Sequence, residues 1–205
     1  MTALRTPISN YITSVGNTIS SDLLKAMGNL ACSLTSTQVN SITSTVFEES
    51  VSILSKINLV CPNMASFYTK AKSSYSSTIS SSALIELGSI ISGITESDLN
   101  QITAETISSI TTLAWKYMPA STVNLLSSTQ MSGLTNTQVS SLMNSPSYSS
   151  FSSTIQSSVT SLSNGIALAT DPIIPQGRNK SSKKTSLIYM YMMNIIIIHF
   201  ICIIL

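Results

Sequence analysis

The sequence has little charge: Asp, Glu, Lys and Arg make up 9% of its 205 residues, against about 25% in an average globular domain. Residues 1–165 carry six basic and seven acidic side chains, so this part has one excess negative charge, and the net charge of +2 arises after residue 165. A nucleic-acid-binding surface needs a concentration of Lys and Arg. The composition therefore excludes nucleic acid as a partner of residues 1–165.

Histidine and cysteine are equally scarce. The only histidine is His199, and the three cysteines, Cys32, Cys61 and Cys202, form no CxxC pair. Residues 1–165 therefore contain no Ser-His or Cys-His pair for nucleophilic catalysis and no zinc-ligand set. P-loop, GxGxxG and HExxH motifs are also missing. The sequence predicts a non-enzymatic protein with no catalytic, cofactor-binding or metal-binding residues.

Serine and threonine take the place of the missing charge, with 66 of the 205 residues. A mucin-like stalk has such a composition, but it is also rich in proline. Here there are only six prolines, and Leu, Ile, Val and Met recur regularly among the hydroxyls. We therefore expect residues 1–165 to fold around an apolar core.

A helix-start pattern occurs four times, over residues 34–42, 94–102, 126–134 and 134–142. Each copy has a hydroxyl residue in the N-cap position, Gln or Asp three positions later, and apolar residues immediately before the cap and five positions further on. These are the features of a capping box with a hydrophobic staple, in which Asp is a poorer partner than Gln. The predicted caps are Thr35 with Gln38, Thr95 with Asp98, Ser127 with Gln130, and Thr135 with Gln138. Asp98 and its neighbour Glu96 are interpreted as first-turn acids that stabilise a helix dipole.

A longer repeat has an offset of 60: residues 23–46 align with residues 83–106 without a gap. The apolar spacing predicts a helix over residues 23–34. Gly28 lies inside this helix, and Gly88 lies at the matching position of the second copy. A glycine at both positions indicates either a close backbone approach or a tolerated turn residue.

Further helices are predicted near residues 45–57, 63–73 and 110–118. The pattern weakens over residues 146–165, where we expect the array to fray or to be cut short. The one tryptophan, Trp115, is interpreted as a core residue. Short helices of this kind need neighbours to pack against. The predicted fold is all-α, a superhelical solenoid of armadillo/HEAT-like repeats over residues 1–165.

Residues 27–39 (MGNLACSLTSTQV), 46–54 (VFEESVSIL), 87–99 (LGSIISGITESDL) and 126–142 resemble the otoancorin–stereocilin–mesothelin family, and the resemblance spans about residues 8–145. It implies a superhelix of short helices in a secreted or cell-surface protein that attaches cells to extracellular gels or binds mucins, without enzymatic activity. The residues alone leave Cys32 and Cys61 open between a disulfide and two buried thiols; the resemblance favours the disulfide. The start of the sequence has no signal-peptide pattern, so either the protein is intracellular or its true N-terminus is missing. The family's arrays are usually longer, so the resemblance implies a fragment of a longer array.

Residues 166–186 are predicted to be a polar linker, and residues 187–205 form an apolar run of 19 residues after Lys183 and Lys184. At 1.5 Å per residue, such a run as a helix is about 28 Å long, near the thickness of a bilayer core. Three interpretations stay open: a membrane anchor, a GPI-type signal, and a gene-model artefact from intron read-through.

Together these expectations describe an extracellular or cell-surface adhesion protein. Its partner would be an extracellular matrix component or a cell-surface glycoprotein. The alternative is an intracellular helical scaffold, held at a membrane by residues 187–205.

Overall fold

The computed structural model describes residues 2–14, 16 and 18–170. This part contains α-helices and short 3-10 helices and no β-strand, so the predicted all-α class is confirmed. The α-helices are α1 (Thr2–Ser14), α2 (Ser21–Met27), α3 (Ser36–Ser41), α4 (Ser44–Leu54), α5 (Met64–Ser74), α6 (Ser81–Leu87), α7 (Glu96–Leu99), α8 (Thr112–Tyr117), α9 (Ala120–Val123), α10 (Ser128–Ser132), α11 (Asn136–Met143) and α12 (Ser153–Thr170). The 3-10 helices are Gly28–Ser33, Gly88–Gly93, Thr106–Ser109 and Tyr148–Ser150.

Hydroxyl side chains begin most of these helices. The N-cap oxygen of each accepts a backbone N–H from the first turn at 3.1–3.4 Å. The residues concerned are Ser20, Thr35, Thr43, Ser80, Thr95, Thr111, Ser127 and Thr135. Each such cap contributes about 1 kcal/mol to helix stability. The abundance of Ser and Thr is therefore partly explained by the number of separate helix starts that the chain makes.

Two glycines end α-helices instead of lying within them. Gly28 follows α2 and Gly88 follows α6, both with φ of +50° and with ψ of −121° and −123°. Side chains disfavour positive φ, so glycine suits both junctions. The single helix predicted over residues 23–34 is wrong, because the backbone changes there from α to 3-10 geometry. A Cβ at Gly88 would lie 2.5 Å from the Ser55 carbonyl oxygen, whereas one at Gly28 would meet nothing within 4 Å.

The core is one continuous cluster that extends along the described chain from Ile12 to Val159. Its largest fully buried side chains include Trp115, Tyr68, Phe47 and Phe67. Trp115 is fully buried, as the sequence predicts for a core residue. Burial of each such apolar side chain stabilises the fold by about 1.5–3 kcal/mol. The helices are short, so this shared core holds them in place.

Packing follows the order of the chain. In one series of contacts α2 packs on α4, α4 on α6, and α6 on the 3-10 helix Thr106–Ser109. In a second series α3 packs on α5, α5 on the 3-10 helix Gly88–Gly93, this helix on α8, and α8 on α11, which contacts α12. Each element therefore touches elements that are close to it in sequence.

The last part of the described chain departs from the sequence expectation. Residues 146–165 do not fray: a 3-10 helix is followed by α12, which continues to Thr170, beyond the predicted end of the module at residue 165. Phe151, Ile155 and Val159 are spaced by four, and all three are buried. This apolar stripe is enough for one amphipathic helix although serine surrounds it. The predicted linker from residue 171 onward and the apolar run 187–205 lie outside the described residues.

The helices predicted near 45–57, 63–73 and 110–118 correspond to α4, α5 and α8. In the part of the chain that the structure covers, no helix has both the length and the apolar character needed to cross a bilayer.

Candidate functional site

A disulfide joins Cys32 and Cys61. Cys32 is buried in the 3-10 helix Gly28–Ser33, and Cys61 lies half-buried in the turn before α5. Their Cα atoms are 5.1 Å apart, and the residues are 29 positions apart in sequence. The structure therefore ties the first 3-10 helix covalently to the segment that precedes α5.

Two asparagine contacts lie beside this disulfide. Asn29 Nδ2 donates to Asn58 Oδ1 at 2.8 Å, and the Asn58 backbone N–H donates to Asn29 Oδ1 at 3.2 Å. Asn63 Nδ2 donates to the Leu34 carbonyl. These pairs are also 29 positions apart. The disulfide thus belongs to a ladder of three connections with a single register.

Gln130 and Gln138 make similar connections further along the chain. In each, Oε1 accepts the backbone N–H of the N-cap, Ser127 at 3.0 Å and Thr135 at 2.9 Å, which completes a capping box. Gln130 Nε2 also donates to the carbonyls of Leu99 at 2.7 Å and Ile102 at 2.9 Å, which lie 31 and 28 positions earlier.

Gln138 Nε2 donates to the Ile107 carbonyl at 3.2 Å, to the Ser108 carbonyl at 3.0 Å and to the Ile110 carbonyl at 2.6 Å. A buried amide needs partners for both its donor and its acceptor. Both glutamines meet this need by joining a local helix cap to a segment 28–31 residues earlier.

Gln38 has the same arrangement in a more exposed setting. Its Oε1 accepts the Thr35 backbone N–H at 2.9 Å, and its Nε2 donates to Ser9 Oγ at 3.4 Å, 29 positions earlier. We use the term thirty-residue link for any disulfide or hydrogen bond that joins residues 28–31 positions apart. The capping pattern in the sequence predicts the local half of each capping box but not the distant partners in these links.

Asp98 does not complete a capping box with Thr95. Thr95 Oγ1 accepts the Asp98 backbone N–H at 3.4 Å and donates to Asp98 Oδ2 at 2.9 Å. The carboxylate instead accepts from Lys72 Nζ at 2.8 and 3.0 Å and from the Tyr68 hydroxyl at 3.0 Å. The tyrosine hydroxyl also contacts Thr78 Oγ1 at 3.0 Å. Lys72 and Asp98 form the one ion pair found within the described residues.

The electrostatics of this cluster follow from its burial. Burial by itself raises the pKa of Asp98, but the hydrogen bonds from Lys72, Thr95 and Tyr68 outweigh it and hold the pKa below its usual value. Burial raises the pKa of the Tyr68 hydroxyl well above its usual value, and the contact with Asp98 raises it further. Asp98 is therefore ionised and Tyr68 protonated at neutral pH, which suits a structural ion pair.

Two open cavities lie near these contacts. One of about 190 Å³ is lined by Lys72, Tyr75, Ser76, Ser77, Thr78, Ile79 and Asp98. A second of about 530 Å³ lies between residues 100–104 and the start of α10. No group of three or more His, Cys, Asp or Glu side chains is placed to hold a metal ion in the described part of the chain.

Comparisons with protein-family models, with curated proteins and with solved structures give no match for this chain. The resemblance to the otoancorin–stereocilin–mesothelin family therefore stays a prediction based on the sequence phrases quoted above. The functional argument depends on the links and surfaces of this chain itself.

Proposed function

We propose that this chain is a non-enzymatic adhesion module of the extracellular space or cell surface. It attaches cells to matrix or to other cells through a helical-repeat surface. The observation that carries the proposal is the disulfide between Cys32 and Cys61. Disulfides form and persist in oxidising compartments and are rare in the cytosol. A module with such a link is suited to the secretory route.

The architecture that we propose for residues 1–165 is a superhelical solenoid of armadillo/HEAT-like repeats. Thirty-residue links support it, because they join positions 9 to 38, 32 to 61, 68 to 98, 99 to 130 and 110 to 138. The two series of neighbour contacts support it as well. Arrays of this kind recognise partners over a broad surface instead of a single pocket.

Hydrogen exchange of the native protein tests the array. In a one-dimensional array each unit depends mainly on its neighbours. Disruption of the Gln138 link by Gln138→Glu is then expected to lower protection over residues 107–142 and to leave residues 24–60 unchanged. Equal loss of protection along the whole chain would contradict the proposed array.

The charged and hydroxyl groups around Asp98 form hydrogen bonds with one another, which supports adhesion over catalysis. Asp98, Lys72, Tyr68 and Thr95 are bonded to one another. Both cavities are open, and the larger one is lined by uncharged side chains. The proposed partner is an extracellular matrix component or a cell-surface glycoprotein, as the family resemblance implies.

Non-reducing peptide mapping of the protein from its natural source tests the proposed location. Trypsin cleaves after Lys25, Lys56 and Lys70, so Cys32 and Cys61 fall on separate peptides, 26–56 and 57–70. We expect these peptides to be joined and to separate after reduction. Two free, alkylatable thiols would reject the extracellular assignment.

Attachment is tested directly by coating the purified chain on a surface and counting adherent cells. We expect saturable attachment that soluble chain inhibits. A heat-unfolded sample coated at equal density is the control for non-specific adsorption. Equal attachment to native and unfolded protein would reject the adhesion role.

An intracellular scaffold is the second candidate. The observation in its favour is that the only N-glycosylation sequon is Asn179-Lys180-Ser181, so residues 1–165 contain none. The same peptide map distinguishes the two candidates, because a cytosolic scaffold keeps both thiols reduced.

A further inference from the structure

Many hydroxyl groups of the described chain already take part in a structural hydrogen bond. N-cap hydroxyls accept backbone N–H groups, as described above. Several hydroxyls inside helices donate to carbonyls three or four residues earlier: Thr69 donates to the Ala65 carbonyl at 2.9 Å, and Ser73 donates to the Lys70 carbonyl at 2.7 Å. Such groups are held in helical backbone, which a modifying enzyme has to unfold before it can bind the chain in extended form.

Ser76 differs from all of these. It lies between the end of α5 at Ser74 and the start of α6 at Ser81, and it follows Tyr75, whose backbone is extended with φ of −107° and ψ of 143°. Its side chain is exposed and makes no hydrogen bond. Within the described residues, Ser76 alone is an exposed serine or threonine outside any helix whose hydroxyl has no partner.

The sequence around Ser76 is uncharged, and a hydrogen bond attaches the segment that contains it to α5. Residues 73–82 (SSYSSTISSS) contain no charged side chain. The hydrogen bond between the hydroxyls of Tyr68 and Thr78 holds the segment between α5 and α6 against α5. The neighbouring Ser77 is also exposed, but its Oγ accepts the Ile79 backbone N–H at 3.4 Å. The accessible, uncommitted nucleophile is therefore the oxygen of Ser76.

We propose that Ser76 is the acceptor of an O-linked sugar. The proposal rests on the proposed function, because protein O-glycosyltransferases that use nucleotide sugars reach chains that enter the secretory route. Ser76 Oγ attacks the anomeric carbon of the nucleotide sugar, and the new C–O bond replaces the bond from that carbon to the diphosphate oxygen. The nucleoside diphosphate leaves with the bonding electrons, and the hydroxyl proton passes to a base of the transferase.

The cavity of about 190 Å³ beside Ser76 offers room and polar partners to the first sugar. Lys72 Nζ is partly exposed and has a third N–H beyond its two contacts with Asp98. Asp98 Oδ1 accepts from Lys72 alone, whereas Oδ2 accepts from three groups. A sugar hydroxyl both donates and accepts, so it matches this remaining donor and acceptor.

The experiment directs the full chain into the secretory pathway of a eukaryotic host with an added leader. Cleavage after Lys72 and Glu86 releases residues 73–86, and electron-transfer fragmentation locates any added mass. Ser76→Ala and Ser77→Ala are compared with Ser41→Ala, a matched control in which an exposed helical hydroxyl that donates to the Gln38 carbonyl at 2.8 Å is removed.

We expect a hexose or N-acetylhexosamine increment on Ser76 that Ser76→Ala abolishes and that Ser77→Ala and Ser41→Ala retain. An unmodified peptide, a phosphate increment, or a sugar confined to Ser77 would each overturn the proposal. The added leader guarantees passage through the secretory lumen, so a negative result rejects the Ser76 assignment and not adhesion. Free thiols in the natural protein would reject the adhesion proposal independently of this measurement.

Discussion

Gln138 Nε2 donates to the Ile110 carbonyl at 2.6 Å, across 28 positions of sequence. The same side chain closes the capping box of α11 through its Oε1, which accepts the Thr135 N–H. One buried amide thus satisfies the start of its own helix and the free carbonyls of an earlier turn. Helix ends leave such N–H and carbonyl groups unpaired unless side chains reach them. Stability at this junction should therefore depend on the amide itself.

The substitution Gln138→Glu separates these two tasks. It retains an oxygen for the Thr135 N–H but places a carboxylate, without N–H donors, against the carbonyls of Ile107 and Ile110. Gln138 is 2% exposed, so we expect a loss of about 3 kcal/mol of unfolding free energy at neutral pH. Urea denaturation followed by circular dichroism measures it.

Gln38→Glu is the matched control. Its Nε2 partner is the hydroxyl of Ser9, which can reverse its role and donate to a carboxylate. We expect a loss below about 1 kcal/mol, because the site is also more exposed. Similar losses for both substitutions would show that the carbonyl contacts of Gln138 do not contribute to stability.

The local contacts of these glutamines can be predicted from the sequence, whereas their distant contacts cannot. A capping box involves residues three apart, so Thr35 with Gln38 is visible in the sequence. The acceptors of Gln130 Nε2 lie about thirty residues earlier and depend on how helices pack. One local signal exists in retrospect: a capping box needs only an acceptor at its fourth position, so glutamine in place of glutamate indicates that an amide donor has a second partner.

The structural roles of Asp98 and Gly88 are also only partly predictable from the sequence. Asp98 is visible as a first-turn acid, but its ion pair with Lys72 depends on the docking of α5 against α7. Gly88 recurs with Gly28 at an offset of 60, and the apolar spacing around both predicts a continuous helix. Backbone conformation at a helix end is set by φ and ψ, which hydrophobic spacing does not report.

Removal of the disulfide tests its contribution to stability. Cys32→Ser combined with Cys61→Ser opens a loop closed by residues 29 positions apart. The loss expected from loop entropy is about 3–4 kcal/mol. Equilibrium unfolding in urea measures it, with and without a dithiol reductant.

The reductant supplies the internal control. It should lower the stability of the natural chain toward that of the double variant and leave the double variant unchanged. If the reductant destabilises both proteins equally, the effect does not come from the link between Cys32 and Cys61.

The pH dependence of stability should report the ion pair of Asp98. Its pKa is lower in the folded chain than in the unfolded chain. The contribution of Asp98 is therefore fully present above the unfolded pKa of about 3.9, and it is lost as pH falls through the folded pKa. We expect the natural chain to lose stability below about pH 5, and Asp98→Asn to be less stable at pH 7 and to lose less on acidification.

Lys72→Met provides the comparison. It removes the strongest donor to Asp98, so burial is opposed by fewer hydrogen bonds and the pKa of Asp98 rises. The difference between its folded and unfolded pKa values then shrinks, so we expect Lys72→Met to be less stable at pH 7 and to lose less stability on acidification than the natural chain. The test is to measure the unfolding free energy of both proteins between pH 3 and pH 7. If the natural chain and Lys72→Met show the same dependence of unfolding free energy on pH, the assigned ion pair is contradicted.

Gly88→Ala and Gly28→Ala compare a close backbone approach with backbone conformation alone. Both glycines have a φ of +50°, so each substitution incurs conformational strain of about 1–3 kcal/mol. Only at Gly88 does the added Cβ meet the Ser55 carbonyl oxygen. The same oxygen accepts the Ser89 backbone N–H at 2.8 Å. That carbonyl cannot move away without weakening the bond. Gly88→Ala should therefore be the more destabilising in thermal unfolding, whereas equal losses would mean that the Ser55 segment shifts freely and that only backbone strain acts at both positions.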